Sequence, residues 1–535
     1  MEPTDLSYDL CRRFIADSSL TLGDLSTVVL GYVRSKALKR LTECSDLFNP
    51  HLHDWTTLRA LLQIEAFFKK NTHFADLEKC KEAARLSFLE SEAICGATNL
   101  RLDAFGSCDD IRIVNTVHKI RRIIERTLGP VSAFYARLPE LVRATSGATA
   151  TRPRSKSGGA ERLSRSMYAT LGSHVYLKAL SEYWGYSYNF RNIHHNRVEF
   201  VPKNWKTHRT IACEPEGNLA LQLAFDSFCK GRLRRHLGVN LKHQSRNQRL
   251  AFESSLSGET ATVDLKAASD RLSLNVIHLL FPREWVDFFI ATRSPCWKDS
   301  DGRLRPYHKL SSMGNGFTFT LETLVFSAVC ASLQATTWAV YGDDIVIDSS
   351  LYGDLCWMLD YLGFEVNLDK SHFTGFYRES CGVHYYNGND VTPLFLGSLR
   401  TKADFVLMCN NILRFAPLDG LCWELARGIV REHNLPLGPE TLDPTSCVWI
   451  DVGVARDLGL IRSKTKRFGP YQPCFRGLIT RTRTQRCWDS RALFLWFLNR
   501  RDEPYESSRY SSGTAKCRSS WVRYTPVRES LVRGG

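Results

Sequence analysis

The tetrapeptide Tyr341-Gly342-Asp343-Asp344 joins two short apolar runs, Trp338-Ala339-Val340 and Ile345-Val346-Ile347. Strand-length, β-favouring runs on either side of a residue that tolerates any backbone conformation predict a tight antiparallel hairpin with two neighbouring carboxylates at its tip. Adjacent carboxylates repel each other, and a turn that crowds them is easiest to account for when divalent cations neutralise them. A solvated Gly-Asp turn is the plainer alternative, and the rest of the chain has to decide between the two.

With 535 residues, 43% hydrophobic and 24% charged, the chain can bury a large core and has an ordinary globular composition. A length of this order suggests about three or four domain-sized units. The net charge of +15 is uneven: residues 461–535 hold 17 Lys/Arg against 5 Asp/Glu, a net +12. Trp488, Phe494, Trp496, Phe497, Trp521 and Tyr524 lie among those cations, whereas disordered tails are poor in aromatics. Cations that track phosphates beside rings that stack on bases point to nucleic acid, against a plain charged surface.

The 17 cysteines are never closer than 13 positions, as between Cys95 and Cys108, which excludes CxxC zinc signatures. An odd, scattered set fits reduced packing thiols better than a disulfide framework. Met1-Glu2-Pro3-Thr4-Asp5 is acidic without an apolar core, so no signal peptide is expected. The long uncharged stretch Thr323 to Gly342 is close to membrane-spanning length, but its Thr, Ser and Gln content and the aspartates at its end predict a buried helix followed by a strand. No membrane span is expected.

Residues 1–145 read as mostly helical, with Leu58, Leu61, Leu62 and Ile64 to Phe68 at helical spacing. The basic stretch Thr151 to Gly159 reads as an exposed hinge or a phosphate contact. Val198-Glu199-Phe200-Val201 reads as a strand leading into Pro202-Lys203-Asn204-Trp205-Lys206-Thr207-His208-Arg209. Lys203, Lys206 and Arg209 recur every third residue, and Pro202 favours an extended arm offering cations to an anion over a solvated helical face.

Ala261-Thr262-Val263-Asp264-Leu265 reads as a strand ending in a carboxylate, and Lys266 to Arg271 as the start of a helix. Asp264 is then either a metal ligand beside Asp343-Asp344 or a helix N-cap. In Ser311 to Glu322, two glycines flank Asn315 and allow close backbone approach before an apolar helix. Leu359 to Phe364 reads as a helix ending at Gly363, followed by Val366 to Lys370, and Asn387-Gly388 marks a second hairpin after Arg378-Glu379-Ser380-Cys381-Gly382.

In order, these elements resemble the palm of template-directed RNA polymerases. Asp264-Leu265-Lys266-Ala267-Ala268-Ser269-Asp270, Met313-Gly314-Asn315-Gly316-Phe317-Thr318-Phe319, Tyr341-Gly342-Asp343-Asp344 and Arg378-Glu379-Ser380-Cys381-Gly382 are similar to the replicase catalytic subunits of the single-stranded RNA phages, the leviviruses. Val201-Pro202-Lys203-Asn204 and Glu214-Pro215 extend the likeness, which covers about residues 198–400. The resemblance implies an α+β right-hand polymerase with an antiparallel palm sheet and mostly helical fingers and thumb. The implied ranges are 1–197 for an N-terminal region and fingers, 198–260 for fingers with the basic arm, 261–400 for the palm with 282–310 as a fingers insertion, and 401–535 for the thumb and basic C-terminal region.

It further implies RNA-directed RNA synthesis, with Asp264, Asp343 and Asp344 holding two Mg²⁺ ions and Lys203, Lys206 and Arg209 meeting the triphosphate. Asn315 and Asp270 are the candidates for the ribose 2′-hydroxyl, because Ser269 stands where many viral polymerases place an aspartate. Lys370 is either a general acid toward pyrophosphate or a strand-capping surface lysine. Implied partners are RNA template and product, ribonucleoside triphosphates, host elongation factors Tu and Ts and a host ribosomal protein, in the cytoplasm of an infected bacterium. A reverse transcriptase and a non-catalytic RNA-binding protein are the rivals. The first commonly has a bulky residue where Gly342 stands and an aromatic gate where Ala267 and Ala268 stand, and the second leaves the clustered carboxylates unexplained.

Overall fold

The sheet that carries the Gly-Asp-Asp turn has three antiparallel strands in the order Thr260–Val263, Asp344–Asp348, Trp338–Tyr341. The computed structural model describes all of the chain except residues 1–2, 72–73, 144–146, 153–166, 186–188, 300–301, 397–398, 400, 416–419, 442, 466–468, 482–483, 488–507, 512–515 and 524–535. Ala261, Val263, Val340, Ile345 and Ile347 point from this sheet into the largest core, while Val346 and Ala339 on the opposite face meet Leu250 of the helix Ser245–Ser257. Side chains alternate across a strand, so only a sheet covered on both faces lets Ile345-Val346-Ile347 be continuously apolar.

The helix Thr318–Ser332 is buried on nearly every side and packs against Ile111–Leu128, as the uncharged stretch leading to the hairpin predicts. A second sheet has four strands in the order His208–Cys213, His195–Pro202, Cys296–Lys298, Leu304–Pro306. Part of 282–310 therefore adds strands to the sheet that carries the basic arm.

The fold is mixed helix and sheet around two main cores. Helices dominate the first 145 residues, yet that stretch serves both cores. Leu6 to Phe68 pack with Leu396 to Leu435, Val448 and Leu478, whereas Leu102 to Leu180 pack with the central elements from Ala220 to Phe364. The cysteines with described side chains are free, and most are buried. No helix among the described residues is long and apolar enough to cross a membrane.

One expectation needs correction. Residues 266–271 do not start a helix: Lys266 pairs in a short antiparallel ladder with Glu365, Ala267 takes a left-handed φ of 51°, and a 3-10 turn follows at Ala268–Asp270. The helix begins at Leu274, with the Ser273 hydroxyl accepting from Val276 N. Among the described residues after 400, helices run Lys402–Phe415, Leu421–Glu432 and Val452–Asp457, and Gly469–Arg481 then pairs with Arg462–Thr465 and Lys516–Arg523. In this strand Cys474, Phe475, Gly477 and Leu478 are buried while Arg476 is exposed, and its strand assignment rests on the ladders to both neighbours. Trp488, Phe494, Trp496, Phe497 and Tyr524, most of the 151–159 stretch, and Arg483 lie outside the described residues.

Candidate active site

Val263 pairs with Ile345 in an antiparallel ladder, so one further residue along each strand brings Asp264 level with Asp344. Asp344 pairs with Tyr341 across the hairpin, and Gly342-Asp343 form its two-residue turn. Gly342 has a φ of +64°, its N–H donates to the Thr323 hydroxyl at 3.0 Å, and a Cβ there would collide with the Phe319 ring. Glycine is thus required twice at this turn, by backbone hand and by space.

Each carboxylate is held differently. Asp264 Oδ2 accepts from Asn367 Nδ2 at 2.9 Å and lies 3.7 Å from Lys370 Nζ, and its backbone O accepts from Asn367 N at 2.9 Å. Cys381 N donates to Asp344 Oδ1 at 3.0 Å, and the Asp344 carbonyl accepts from Asn247 Nδ2 at 3.1 Å. Asp343 is exposed at the tip.

Burial raises the Asp264 carboxyl above its ordinary range against the pull of Lys370 and Asn367, and the Asp343 charge adds to the rise. Burial also pushes Asp344 up to about 6, with Asp343 and Asp264 adding to it and the Cys381 N–H opposing. Burial alone would lower Lys370, but Asp264, Glu379, Asp344 and Asp343 outweigh it and raise its pKa. Burial alone would raise Glu379, but His384, Lys370, His372 and Lys69 hold its carboxyl below the usual value. Beneath the turn, Glu322 is fully buried and its Oε1 meets no hydrogen-bond partner; burial, then Asp343 and Asp270, push its carboxyl well above the ordinary range.

The site therefore resists its own negative charge. Three oxygen-donor side chains on a sheet end suit hard divalent cations. Among the described residues, no group of three or more His, Cys, Asp and Glu side chains is gathered tightly enough to hold a metal as it stands.

The basic arm is the hairpin between His195–Pro202 and His208–Cys213, with Arg209 opposite Val201. The Asn204 side chain accepts from Lys206 N at 2.9 Å and Thr207 N at 2.8 Å, which builds the turn. Lys203 feels the carboxylates: burial, Arg209 and Lys370 lower its pKa, and Asp264 and Asp343 pull it back up. Lys206 lies instead over the Trp205 ring, 5.3 Å from its centre. Lys370 thus pairs with Asp264, Lys203 feels the charges of Asp264 and Asp343, Arg209 acts on Lys203, and Lys206 turns to its neighbouring ring.

Asp270 and Asn315 are both engaged by protein partners. Asp270 Oδ1 accepts from Lys309 Nζ at 2.8 Å; Lys309 is 0% exposed, pairs with Glu92 Oε1 at 3.1 Å and sits 3.7 Å above the Phe88 ring. Asn315 Nδ2 donates to Glu214 Oε1 at 2.8 Å, and its Oδ1 accepts from Ser312 N at 3.0 Å. Glu214 is itself buried and also accepts from Asn196, Ser294 and Gln222; burial outweighs these donors and raises its carboxyl. Glu214 stood in the sequence only as part of a Glu-Pro pair, and Lys309 and Glu92 gave no signal at all, because each depends on a partner far away in the chain.

The family described as RNA replicase, beta-chain, matches residues 35–442. The chain belongs to this family. The match encloses Asp264, Asp343, Asp344, the basic hairpin and the Glu214 and Lys309 clusters, and ends before the C-terminal strands. The chain is 37% identical over 348 residues to the RNA-directed RNA polymerase subunit beta of Escherichia virus Qbeta, which covers 63% of this chain and 59% of that protein. It is 36% identical over 370 residues to the RNA-directed RNA polymerase subunit beta of Enterobacteria phage SP, covering 67% and 64%. To the RNA-directed RNA polymerase beta chain of Escherichia phage MS2 it is 40% identical over 233 residues, covering 43% and 42%. The chain thus spans less than two thirds of the length of each of these relatives.

Proposed function

We propose that this chain is the catalytic subunit of an RNA-directed RNA polymerase that replicates a phage RNA genome, extending an RNA 3′ end from ribonucleoside triphosphates. The observation that carries this reading is the strand register that brings Asp264 level with Asp344 beside the exposed Asp343, with Lys370 in ion-pair reach of Asp264 and Lys203 within their field. In right-hand terms the three-stranded sheet is the palm, the basic hairpin and its sheet belong to the fingers, and the segment after residue 400 to the thumb. RNA template and product, host elongation factors Tu and Ts, a host ribosomal protein and a bacterial cytoplasmic setting belong to the same reading.

Asp264, Asp343 and Asp344 would hold two Mg²⁺ ions. When bound there, divalent ions favour the nucleophilic form of the 3′-hydroxyl and offset charge building on the α-phosphate and the pyrophosphate. The side chains do the rest by position. Asn367 and Cys381 N–H fix the orientation of Asp264 and Asp344, so neither carboxylate has to reorganise as charge moves. Lys203 and Arg209 present cations to the triphosphate, and Lys370, kept charged by four surrounding carboxylates, stands ready to give a proton or a charge to the leaving pyrophosphate. Asp270, oriented by Lys309, and Asn315, held by Glu214, line the path toward the ribose, where a site built around a hydroxyl discriminates against its absence.

The test is Mg²⁺-dependent incorporation by the purified chain on an RNA template, with ribonucleotides and deoxyribonucleotides compared. Incorporation of ribonucleotides alone is the expected result. Preference for deoxyribonucleotides would indicate a reverse transcriptase, and RNA binding without incorporation a non-catalytic protein.

A further inference from the structure

The helix Trp55–Lys69 ends where the tip of the basic hairpin docks: Trp205 N donates to the Lys69 carbonyl at 3.4 Å, and Cys80 Sγ to the Trp205 carbonyl at 3.2 Å. Two lysines close this helix. Lys69 is neutralised by Glu65 at 2.9 Å, one turn back. Lys70 pairs with no carboxylate among the described residues; its ammonium instead lies 3.7 Å above the Phe395 ring, a contact that fixes a cation without cancelling its charge. Burial, followed by repulsion from Lys69, Lys370 and Arg209, lowers its pKa, and Lys203 is likewise lowered by burial and then by Arg209 and Lys370.

We propose that Lys70, supplied by the N-terminal helices, completes a seat for the phosphate chain of the incoming ribonucleoside triphosphate together with Lys203, Arg209 and Lys370. The proposal deepens the polymerase reading and rests on it. The Trp205–Lys69 hydrogen bond holds the hairpin of Lys203 and Arg209 against the helix end where Lys70 stands, Lys70 and Lys203 both feel the charges of Arg209 and Lys370, and among the described carboxylates only Asp264 is within ion-pair reach of one of the four, Lys370. Such a cluster is unfavourable by itself and becomes favourable when a polyanion fills it. A lysine is suited to that task as a mobile point charge on a phosphate. The arrangement also has a structural consequence: Lys70 belongs to a helix whose core is shared with residues 396–435, so an occupied seat ties that core to the catalytic sheet.

Lys70→Met keeps most of the stem over Phe395 and removes the charge. Nucleotide incorporation at saturating template is expected to show a KM for ribonucleotide raised about tenfold, the loss of one charged contact, with template affinity unchanged and Lys70→Arg near wild type. In parallel, calorimetric binding of inorganic triphosphate to the full chain is expected to weaken by a similar factor in Lys70→Met. Unchanged KM and unchanged triphosphate binding overturn the inference. Weakened template affinity with normal nucleotide kinetics overturns it in favour of an RNA-backbone contact. If the wild-type chain incorporates nothing but Lys70→Met still weakens triphosphate binding, the anion seat stands and the polymerase reading falls.

Discussion

Two acidic clusters lie close together in this protein and are treated in opposite ways. Asp270 and Glu92 are neutralised from inside by Lys309, a fully buried ammonium that bridges both carboxylates and packs on Phe88. Asp264, Asp343 and Asp344 share one ion pair, Lys370 to Asp264 at 3.7 Å, with the charge of Lys203 and a few N–H donors, and the carboxyls of Asp264 and Asp344 are still raised by burial and by mutual repulsion. The first cluster is complete within the chain; the second is left for cations from solution. A buried charge set that its own counter-charges do not offset is costly to maintain and points to a site that takes up cations, whereas a compensated set holds its carboxylates in fixed positions.

The largest expected effect tests the uncompensated cluster. Asp264→Asn or Asp343→Asn removes a charge at nearly constant volume, and a loss of several kcal/mol of charge stabilisation should cut nucleotide incorporation by about 10³-fold or more, with folding and RNA binding intact. Near-normal turnover by either variant would erase the contrast.

The compensated cluster should respond in stability instead. Lys309→Met leaves the buried Glu92 and the partly buried Asp270 without their cation and is expected to destabilise the fold by about 3–5 kcal/mol in denaturant unfolding. Adding Glu92→Gln should recover part of that loss, since one of the two orphaned charges is removed. A cost below 1 kcal/mol would mean that solvent, not Lys309, carries the compensation.

A smaller effect separates the turn from its charges. Gly342→Ala forces an L-residue into a left-handed conformation, about 1–2 kcal/mol by that alone, and adds the collision with Phe319. Combining it with Phe319→Ala should relieve the collision but not the backbone term, and incorporation should recover only in part. Full recovery would show that space alone fixes the glycine.

Asp54 offers a third kind of carboxylate, neutralised by hydrogen bonds alone. It caps the helix that carries Lys70, accepting from Thr56 N at 2.8 Å and Thr57 N at 3.1 Å, and the Thr56 and Thr57 hydroxyls, the largest causes, hold its carboxyl far below the usual range. Asp54→Ala should cost about 1 kcal/mol near neutral pH. Because the folded pKa is depressed, the stabilisation is present above the ordinary carboxylate pKa and fades as pH falls below it. The gap between variant and wild type should therefore narrow in acid; a gap that stays constant with pH would assign the cap to packing.

What the sequence could determine by itself is what nearby residues decide. The hairpin Trp338–Tyr341 to Asp344–Asp348 follows from two apolar runs about a glycine, and Asn387-Gly388 turns with φ of +47° and +74°, as an Asn-Gly pair between strands predicts. The uncharged stretch Thr323 to Gly342 forms the end of the buried helix Thr318–Ser332 and then the strand Trp338–Tyr341, because that signal lies within one helix and one strand length. Lys266 to Arg271 was misleading for the converse reason: Lys266 is drawn into a ladder with Glu365, 99 positions away, and that pairing overrides a local helical preference. The same distance hid Lys309 from Glu92, Glu214 from Asn315, and the shared core of Leu6–Phe68 with Leu396–Leu435. Propensity and turn chemistry act over a few residues, so they can be read along the chain. Which buried charges meet their counter-charges, and which are left facing solvent, depends on what the folded core brings together from remote segments, and only the tertiary structure decides it.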